Sequence, residues 1–456
     1  MRAGIYALSL VSAAAMPFAA ASASTVPLRV TDQPSGPLSP VGEKLDDMGI
    51  RIRSQIVDEL AGNPTGGVNQ GVRNVGQLQL GASFNMDKIA GLHGTQFHIT
   101  FVRDFGHGLS HDVTGTFIKT QEIYKNEYQI FRMGVFAIEQ KLAHDKLDVF
   151  VGRLGSTTFY GRLANSCNFQ SGISCSVPQI LNSEAGVTFP TSATWGGNVR
   201  YRLSSDSYIE AGAFEVDQFI QHTSGFDWST KHATGVSIPM EVAKGVYDLD
   251  KSWLPYSVKL GGYVSTAPLS DPFYNTKGQS LGLHGGTART SSRTREGVYV
   301  MGEKAVWRPK DHPERSLALF GGFIQPLEKE EVATTQAYGG AALRAPFLSR
   351  PHDIVSFEAS YFRLSAKERA FLDDARLKAG GTGRNDPNEF AFEADYSALL
   401  YRGVRLAPNI QYIVHPDNAS LPKTAVLPRN AIVLGLKFTM NISGLLGLPI
   451  APNLSE

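Results

Sequence analysis

Apolar and polar residues alternate with a period of two along most of the chain beyond residue 49. In the segment 353–363, one face carries Val355, Phe357, Ala359 and Tyr361, and the other carries Ser356, Glu358 and Ser360. Because successive side chains of a strand leave opposite faces, this alternation predicts β-strands. The predicted strands are 49–59, 72–85, 95–104, 128–141, 147–154, 194–203, 208–217, 235–244, 256–266, 297–308, 317–325, 336–344, 353–363, 389–402, 404–414 and 430–442.

Two of these segments, 235–244 and 336–344, have the weakest strand pattern. Pro239 lies in the middle of the first, and proline within sheets prefers an edge strand or a bulge. A closed barrel has no edge strand, so Pro239 is the residue that fits the predicted fold least well.

The number and spacing of the segments favour a closed, antiparallel, transmembrane β-barrel of about 16 strands over a soluble sandwich. Their typical length suits a tilted strand that crosses a bilayer, and the bilayer forbids open sheet edges. Tight turns such as 203–208 and 402–404 alternate with long connections such as 155–193 and 265–297. This all-β architecture combines short periplasmic turns with long extracellular loops.

The two ends of the chain differ from the strand region. Residues 1–23 have a positive Arg2, an apolar stretch and a small-residue cleavage pattern, which predicts a secretory signal peptide, with a membrane anchor as the alternative. Residues 24–48 are predicted as a periplasmic lead-in with a short helix at 43–48, and 49–442 as an outer-membrane barrel. The tail, 443–456, is expected either to tuck into the periplasmic mouth or to be disordered.

Composition and motifs argue against several functional classes. The net charge of +1 and the lack of a Lys/Arg block give no sign of nucleic-acid binding. Beyond the signal there is no apolar run long enough for a spanning helix. Neither an HExxH motif nor a Gly-x-Ser-x-Gly elbow occurs, and the nearest approach to a histidine cluster is His93, His98, His107 and His111. We therefore predict no enzyme activity, no cofactor and no metal site.

The longest loop, 155–193, contains both cysteines of the chain, Cys167 and Cys175. An isolated close pair in an oxidising compartment predicts a disulfide, with two free thiols as the alternative. Long loops in compact proteins are usually functional. This one is expected to fold into the lumen as a constriction, and the alternative is an external cap over the pore mouth.

The predicted lumen combines guanidinium, amide, carboxylate and aromatic groups. Such groups hydrogen-bond a neutral polyol and pack against its C–H faces, whereas binding must stay weak for the solute to leave. For each charged residue, an ordinary ion pair on the wall is the alternative. The candidate lining residues are Arg51, Arg53, Gln55, Arg153, Phe159, Arg162, Asn168, Phe169, Asn198, Arg200, Arg202 and Glu210, and further loop candidates are Tyr160, Asn165 and Gln170.

Several motifs spread over most of the chain resemble the carbohydrate-selective porins of the OprB type. They are Val151-Gly152-Arg153-Leu154, Cys167-Asn168-Phe169 with Cys175, Pro178-Gln179, Thr194 to Arg202 (TWGGNVRYR), Glu210-Ala211-Gly212, Gln411 to Pro416 (QYIVHP) and Asn430 to Lys437 (NAIVLGLK). The resemblance implies a sixteen-stranded outer-membrane barrel through which glucose and related sugars diffuse, with the cysteine-bearing loop at the constriction. Porins of this class are often monomers, whereas the general porins are trimers, and both states stay open here.

The expected partners are sugars bound weakly and transiently, outer-membrane lipid and the barrel assembly machinery. A general or organic-acid-selective porin without sugar preference is the alternative function, and a secreted soluble β-protein is a more distant one. One feature departs from the pattern of outer-membrane barrels, which commonly end on a strand with a terminal aromatic residue. Here the last strand ends near Ile442 and the tail follows.

Overall fold

The computed structural model describes residues 35–123, 130–175, 177–186, 192–291, 294–328 and 330–454. The predicted signal peptide, 1–23, lies outside the described residues. The part of the lead-in that is described contains the first helix.

Sixteen strands form one closed barrel, and two short strands form a separate hairpin. The barrel strands are β1 (Ile50–Gly67), β2 (Gly71–Asn85), β3 (Thr95–Gly106), β4 (Phe131–Leu142), β5 (Leu147–Leu154), β6 (Thr194–Ser204), β7 (Ser207–Val216), β8 (Gly235–Lys244), β9 (Tyr256–Ser265), β12 (Arg295–Trp307), β13 (Ser316–Pro326), β14 (Ala333–Arg344), β15 (Ile354–Leu364), β16 (Asn388–Tyr401), β17 (Val404–Val414) and β18 (Arg429–Asn441). The hairpin consists of β10 (Leu269–Asn275) and β11 (Ala288–Ser291).

Each barrel strand pairs with its neighbours in antiparallel fashion, and β1 closes the cylinder against β18. The closing register places Gln55 opposite Asn441 and Glu59 opposite Lys437. The predicted fold class is therefore confirmed. The predicted boundaries differ most at β1, which continues to Gly67 rather than ending at residue 59.

Pro239 lies within β8, opposite Tyr263 of β9. On the other side, the pairing of β8 with β7 is interrupted between Met240 and Ser237. A proline has no N–H to donate to the ladder, so the local interruption accommodates it without opening the barrel.

The alternation in sequence becomes a division between the two surfaces of the barrel. Large apolar side chains point outwards and are exposed, as expected for a wall that faces lipid. Examples from different strands are Val151, Val199, Leu260, Leu319, Phe357, Ile410 and Leu434. The inward surface carries many polar residues, among them Glu358 of β15, which lies directly opposite Glu393 of β16.

The described helices are short and are not part of the barrel wall. They are α1 (Ser39–Asp47), α2 (Met86–Ala90), α3 (Gln179–Glu184), α4 (Leu281–His284), α5 (Ala366–Lys378) and α6 (Ile442–Leu446), with short 3-10 or π turns at Ser110–Thr114, Ser156–Thr158, Ser166–Asn168 and Gln218–His222. Within the described ranges, no helix has the length and apolarity needed to span a membrane. The helix predicted at 43–48 begins earlier, because Pro40 occupies the first turn, where a missing N–H costs nothing.

Candidate functional site

The long loop between β5 and β6 lies inside the barrel. Its apolar side chains form a buried cluster with inward-facing residues of the wall. From the loop come Leu163, Phe169, Ile173, Val177, Ile180 and Leu181, and from the wall come Tyr263, Tyr299, Phe320, Ile324, Tyr338 and Phe362. The loop therefore has the position of a constriction and not that of an external cap.

Carboxylates on the wall hold the first half of this loop by its backbone. The Glu241 carboxylate of β8 accepts a hydrogen bond from the backbone N–H of Gly161 at 3.0 Å. Glu303 of β12 accepts from the backbone N–H groups of Ala164 at 2.8 Å and Asn165 at 3.1 Å. Hydrogen bonds to a charged acceptor are stronger than neutral ones, so each carboxylate fixes a short stretch of loop.

A second pair of carboxylates holds the segment around the disulfide. Glu393 of β16 accepts from the backbone N–H groups of Gln170 at 2.7 Å and Ser171 at 2.9 Å. Glu358 of β15 accepts from the hydroxyls of Ser171 at 2.9 Å and Ser174 at 2.6 Å. Both glutamates are almost completely buried beneath the loop.

Other polar wall residues complete the attachment. The Lys437 ammonium of β18 donates to the backbone carbonyl of Phe169 at 2.7 Å and forms an ion pair with Glu122 at 2.7 Å. Gln336 of β14 accepts from the N–H of Ile180 at 3.1 Å. The loop is thus tied to strands on both sides of the lumen.

The predicted disulfide between Cys167 and Cys175 is present. It closes the part of the loop that Glu393 and Glu358 hold. Cys175 is buried, whereas Cys167 is exposed. The disulfide therefore stiffens the loop at a point where the Cys175 side is buried and the Cys167 side faces open space.

A second loop, between β3 and β4, also enters the lumen, which was not predicted from the sequence. The Gln121 amide donates to the backbone carbonyl of Glu59 at 2.6 Å, and the N–H of Glu122 donates to the carbonyl of Gln170 at 2.6 Å. Its polar run Thr114–Gln121 is buried except for Phe117 and Lys119, which are half-buried. The threonines of this loop, Thr114, Thr116 and Thr120, were the only available signal in the sequence. They did not predict burial, because polar residues in a loop are normally exposed.

Three of the predicted lining residues form one network on the wall. The Arg200 guanidinium of β6 donates to the Glu210 carboxylate of β7 at 2.9 Å, and the Asn198 amide donates to the same carboxylate at 3.4 Å. The Tyr160 hydroxyl from the loop donates to Asn198. All of these side chains are buried, so they support the loop and do not face an open path.

Arg153 occupies a different surface from the other candidates. Its register partners are Phe136 and Trp195, and it shares a face of β5 with the exposed Val151. The guanidinium lies 5.5 Å from the centre of the Trp195 ring and donates to the carbonyl of Asp227. The structure therefore places Arg153 on the outer side of the wall, under the β7–β8 loop, and not in the lumen.

The remaining candidate lining residues fall into buried, exposed and half-buried groups. Phe159 and Phe169 are buried in the two clusters beneath the loop. Arg51 is exposed at the periplasmic end, where it pairs with Asp46 at 3.1 Å. The half-buried residues on the lumen side are Arg53, Gln55, Arg162, Asn168 and Arg202.

The histidines do not form a common site. His98 is buried between the Ser83 hydroxyl at 2.8 Å and the Glu139 carboxylate at 3.0 Å. His107 and His111 both face Asp112 on the outside. Across the described ranges, the single grouping of potential metal ligands is Glu122 with Cys167 and Cys175, and a disulfide offers no thiolate.

Acidic groups with shifted ionisation lie at the extracellular end. Burial, followed by repulsion from Glu328, raises the pKa of Glu184 in α3 to about 8. Its carboxylate accepts from the N–H of Ala333 at 3.3 Å. Burial, followed by repulsion from Asp417, likewise raises the pKa of Glu368 in α5 to about 8.

Comparison with known proteins gives a consistent result. Residues 69–442 match the family described as carbohydrate-selective porin, OprB family. The chain is 26% identical to Porin B of Pseudomonas aeruginosa over 416 residues, covering 86% of this chain and 88% of that protein. It is 24% identical to the putative porin QuiX of Acinetobacter baylyi over 396 residues, covering 82% and 86%.

Among solved structures, the high-pH structure of Pseudomonas putida OprB is similar at a TM-score of 0.76 and 25% identity, covering 87% of this chain and 95% of that chain. The fold and the family are those of a channel. The chain belongs to the OprB family of carbohydrate-selective porins and is a sugar-selective porin of the Gram-negative outer membrane.

Proposed function

We propose that sugars cross the barrel between the constriction loop and the wall formed by the periplasmic half of β1 and by β2. The observation that carries this proposal is the distribution of the loop's attachments. Carboxylates of β8, β12 and β16 accept from the loop backbone, and the Glu358 carboxylate of β15 accepts from its serine hydroxyls. On β1, the Gln170 amide donates to the carbonyl of Leu60 at 3.2 Å, in the extracellular half of the strand. Half-buried polar side chains, by contrast, lie on the lumen face of β1 and β2.

Three glutamine side chains lie on this wall. Gln55 of β1 lies directly opposite Gln79 of β2, and Gln77 donates to Asp104 at 2.9 Å while it accepts from Gln79 at 2.6 Å. Each amide offers both donors and an acceptor, which a sugar hydroxyl also does. On entry, a neutral polyol can therefore replace its hydrogen bonds to water with hydrogen bonds to these amides, and no charge has to be neutralised.

The loop side contributes Arg162 and Asn168, both half-buried. Arg162 donates to the carbonyl of Thr157 at 3.3 Å, which keeps its guanidinium close to the loop backbone. Guanidinium and amide groups form directional hydrogen bonds to sugar hydroxyls. A site with few such groups binds a sugar only weakly. Weak binding is what a passive channel requires for release.

The alternative, a general or organic-acid-selective porin, would need an excess of free positive charge along the path. Cations near the proposed path are paired with carboxylates: Arg51 of β1 with Asp46 at 3.1 Å, and Lys437 of β18 with Glu122 at 2.7 Å. Paired charges attract an anion weakly, so this pattern favours neutral solutes.

Liposome swelling tests the proposal. Liposomes that contain the protein should swell faster in glucose than in gluconate, an anion of similar size. The double variant Gln55→Leu/Gln79→Leu should lose most of the glucose rate, whereas Gln279→Leu, an exposed glutamine of the extracellular hairpin region, should leave it unchanged. Equal rates for glucose and gluconate with the unaltered protein would contradict sugar selectivity, and an unaffected double variant would contradict the proposed path.

A further inference from the structure

We propose that residues 443–454 form a periplasmic brace, a segment that returns into the lower mouth of the barrel, narrows it and supports the base of the constriction loop. The inference rests on the proposed function, because it presupposes a conducting lumen. The family match ends at residue 442, so the brace lies outside the region that this chain shares with the family model.

The brace begins where the barrel seam ends. β18 stops at Asn441, opposite Gln55, and the earlier residues of β1 therefore have no partner from β18. The tail takes that place: the N–H of Ile52 donates to the carbonyl of Pro449 at 2.7 Å, and the N–H of Ala451 donates to the carbonyl of Ile52 at 3.0 Å. The open edge of β1 is thereby satisfied by a parallel segment.

A compact turn makes this return possible. The Asn441 side chain accepts from the N–H of Gly444 at 2.8 Å and caps α6. Gly447, at φ 83°, ends the helix, and the N–H of Leu448 donates to the carbonyl of Ser443 at 2.9 Å. The lead-in also joins, since the N–H of Leu38 donates to the carbonyl of Leu446 at 2.8 Å.

Beyond the edge pairing, the chain turns into the lumen. Arg53, on the lumen face of β1, donates to the carbonyl of Pro452 at 2.5 Å. Leu454 is only 8% exposed and belongs to the same apolar cluster as Phe150 and Phe214 of the wall and Phe159 of the constriction loop. The brace thus joins β1 to the base of the loop across the periplasmic side of the pore.

Two consequences follow from this position. Chain inside the mouth reduces the cross-section available to a solute on the periplasmic side. Burial of Leu454 beside Phe159 also restrains the first turn of the loop, which no wall carboxylate holds before Gly161 among the described residues. Removal of the brace should therefore both widen the pore and increase loop motion.

Single-channel recording in planar bilayers tests the proposal. Deletion of the residues from 449 onwards should raise the conductance, increase open-channel noise and reduce the preference for glucose over a larger sugar such as maltotriose. Leu454→Asn should produce the noise without the full gain in conductance. Leu377→Asn is the matched control, because Leu377 is 61% exposed on α5 at the extracellular end, and it should behave like the unaltered protein.

Labelling supplies a second measurement that does not depend on how the deletion variant folds. A maleimide attached from the periplasmic side to Asn453→Cys, an exposed position, should reduce the current, whereas the same label on Ser205→Cys, in an exposed periplasmic turn, should not. Heat-modifiable migration confirms that each variant is folded. If the unaltered protein discriminates sugars but neither the label at 453 nor the deletion changes the channel, the brace is refuted alone; a protein that passes no sugar refutes the proposed function itself.

Discussion

Glu303 and Asn165 are linked by two hydrogen bonds across the lumen wall: the carboxylate accepts from the backbone N–H at 3.1 Å and from the side-chain amide at 2.8 Å. The two residues are 138 positions apart in sequence. Both are buried, so water cannot replace either bond. The geometry of the constriction therefore depends on pairings between the loop and distant strands.

Removal of this acceptor should loosen the loop. Glu303→Ala leaves the backbone N–H and the side-chain amide of the buried Asn165 without this acceptor, at a cost of roughly 1–3 kcal/mol for each unsatisfied group. We expect more frequent current fluctuations in planar bilayers and weaker discrimination between glucose and maltotriose. Glu314→Ala, in an exposed periplasmic turn, is the matched control. A quiet, fully selective Glu303→Ala channel would show that the loop is held by other contacts.

The buried pair Arg200–Glu210 should matter for stability. In Arg200→Ala, the Glu210 carboxylate loses its guanidinium partner in a region where its side chain has no exposure. Loss of one member of a buried pair typically costs about 3–5 kcal/mol. The midpoint of the heat-induced shift in electrophoretic mobility should therefore fall clearly.

Arg51→Ala serves as the comparison, because the Arg51 side chain is 53% exposed in its ion pair with Asp46. Exposed pairs contribute about 0–1 kcal/mol. Equal midpoints for Arg200→Ala and Arg51→Ala would contradict the assignment of a supporting role to the network on the wall.

The disulfide should restrict the loop without deciding the fold. Cys167→Ser/Cys175→Ser removes a link of sequence separation 8, for which the chain-entropy model gives about 2–3 kcal/mol. Since the wall carboxylates still hold the loop, the variant should assemble but show increased open-channel noise. Reduction of the unaltered protein should give the same noise. A reduced channel identical to the oxidised one would mean that the wall contacts alone fix the loop.

Docking of α3 should depend on pH through Glu184. Its pKa is raised from an ordinary 4.5 to about 8, so the docked loop binds the proton more tightly than an undocked loop does. Docking is therefore strongest at low pH, weakens as the pH rises between these two values, and changes no further above the higher one. At pH 7 the loss is on the order of 3 kcal/mol.

Glu184→Gln keeps an acceptor for the N–H of Ala333 and cannot ionise. Current fluctuations of the unaltered protein should increase as the pH is raised from about 5 to about 9, and the variant should show a smaller increase over the same range. Glu328 and Glu331 lie close by and account for a remaining dependence. An identical pH response in both proteins would exclude Glu184 as its source.

Much of the architecture was predictable because strand alternation is a local property. Residues 353–363 show which side chains share a face regardless of what surrounds them, and the structure contains the corresponding strand at Ile354–Leu364. The cysteine pair was likewise predictable, since proximity in sequence made the disulfide geometrically available.

The position of Arg153 could not be predicted from the local sequence pattern. Arg153 and Arg200 appeared equivalent in sequence, yet the register places Arg153 with the exposed Val151 and Arg200 with the buried Glu210. Gly152, at φ 150°, directly precedes Arg153, and the β7–β8 loop that covers the arginine comes from a distant part of the chain. The local pattern of residues contains neither this backbone change nor the position of the covering loop.

The order of residues was enough to predict a closed barrel of alternating strands, its long cysteine-bearing loop and the class of solute that its polar groups suit. The folded chain was needed to see that this loop and the β3–β4 loop lie inside the lumen, which charges support them, and that the tail returns beneath them. Strand formation follows from neighbouring side chains, which the local pattern contains. The position of a loop, in contrast, is decided by hydrogen bonds such as Glu393 to Gln170 between residues far apart in sequence.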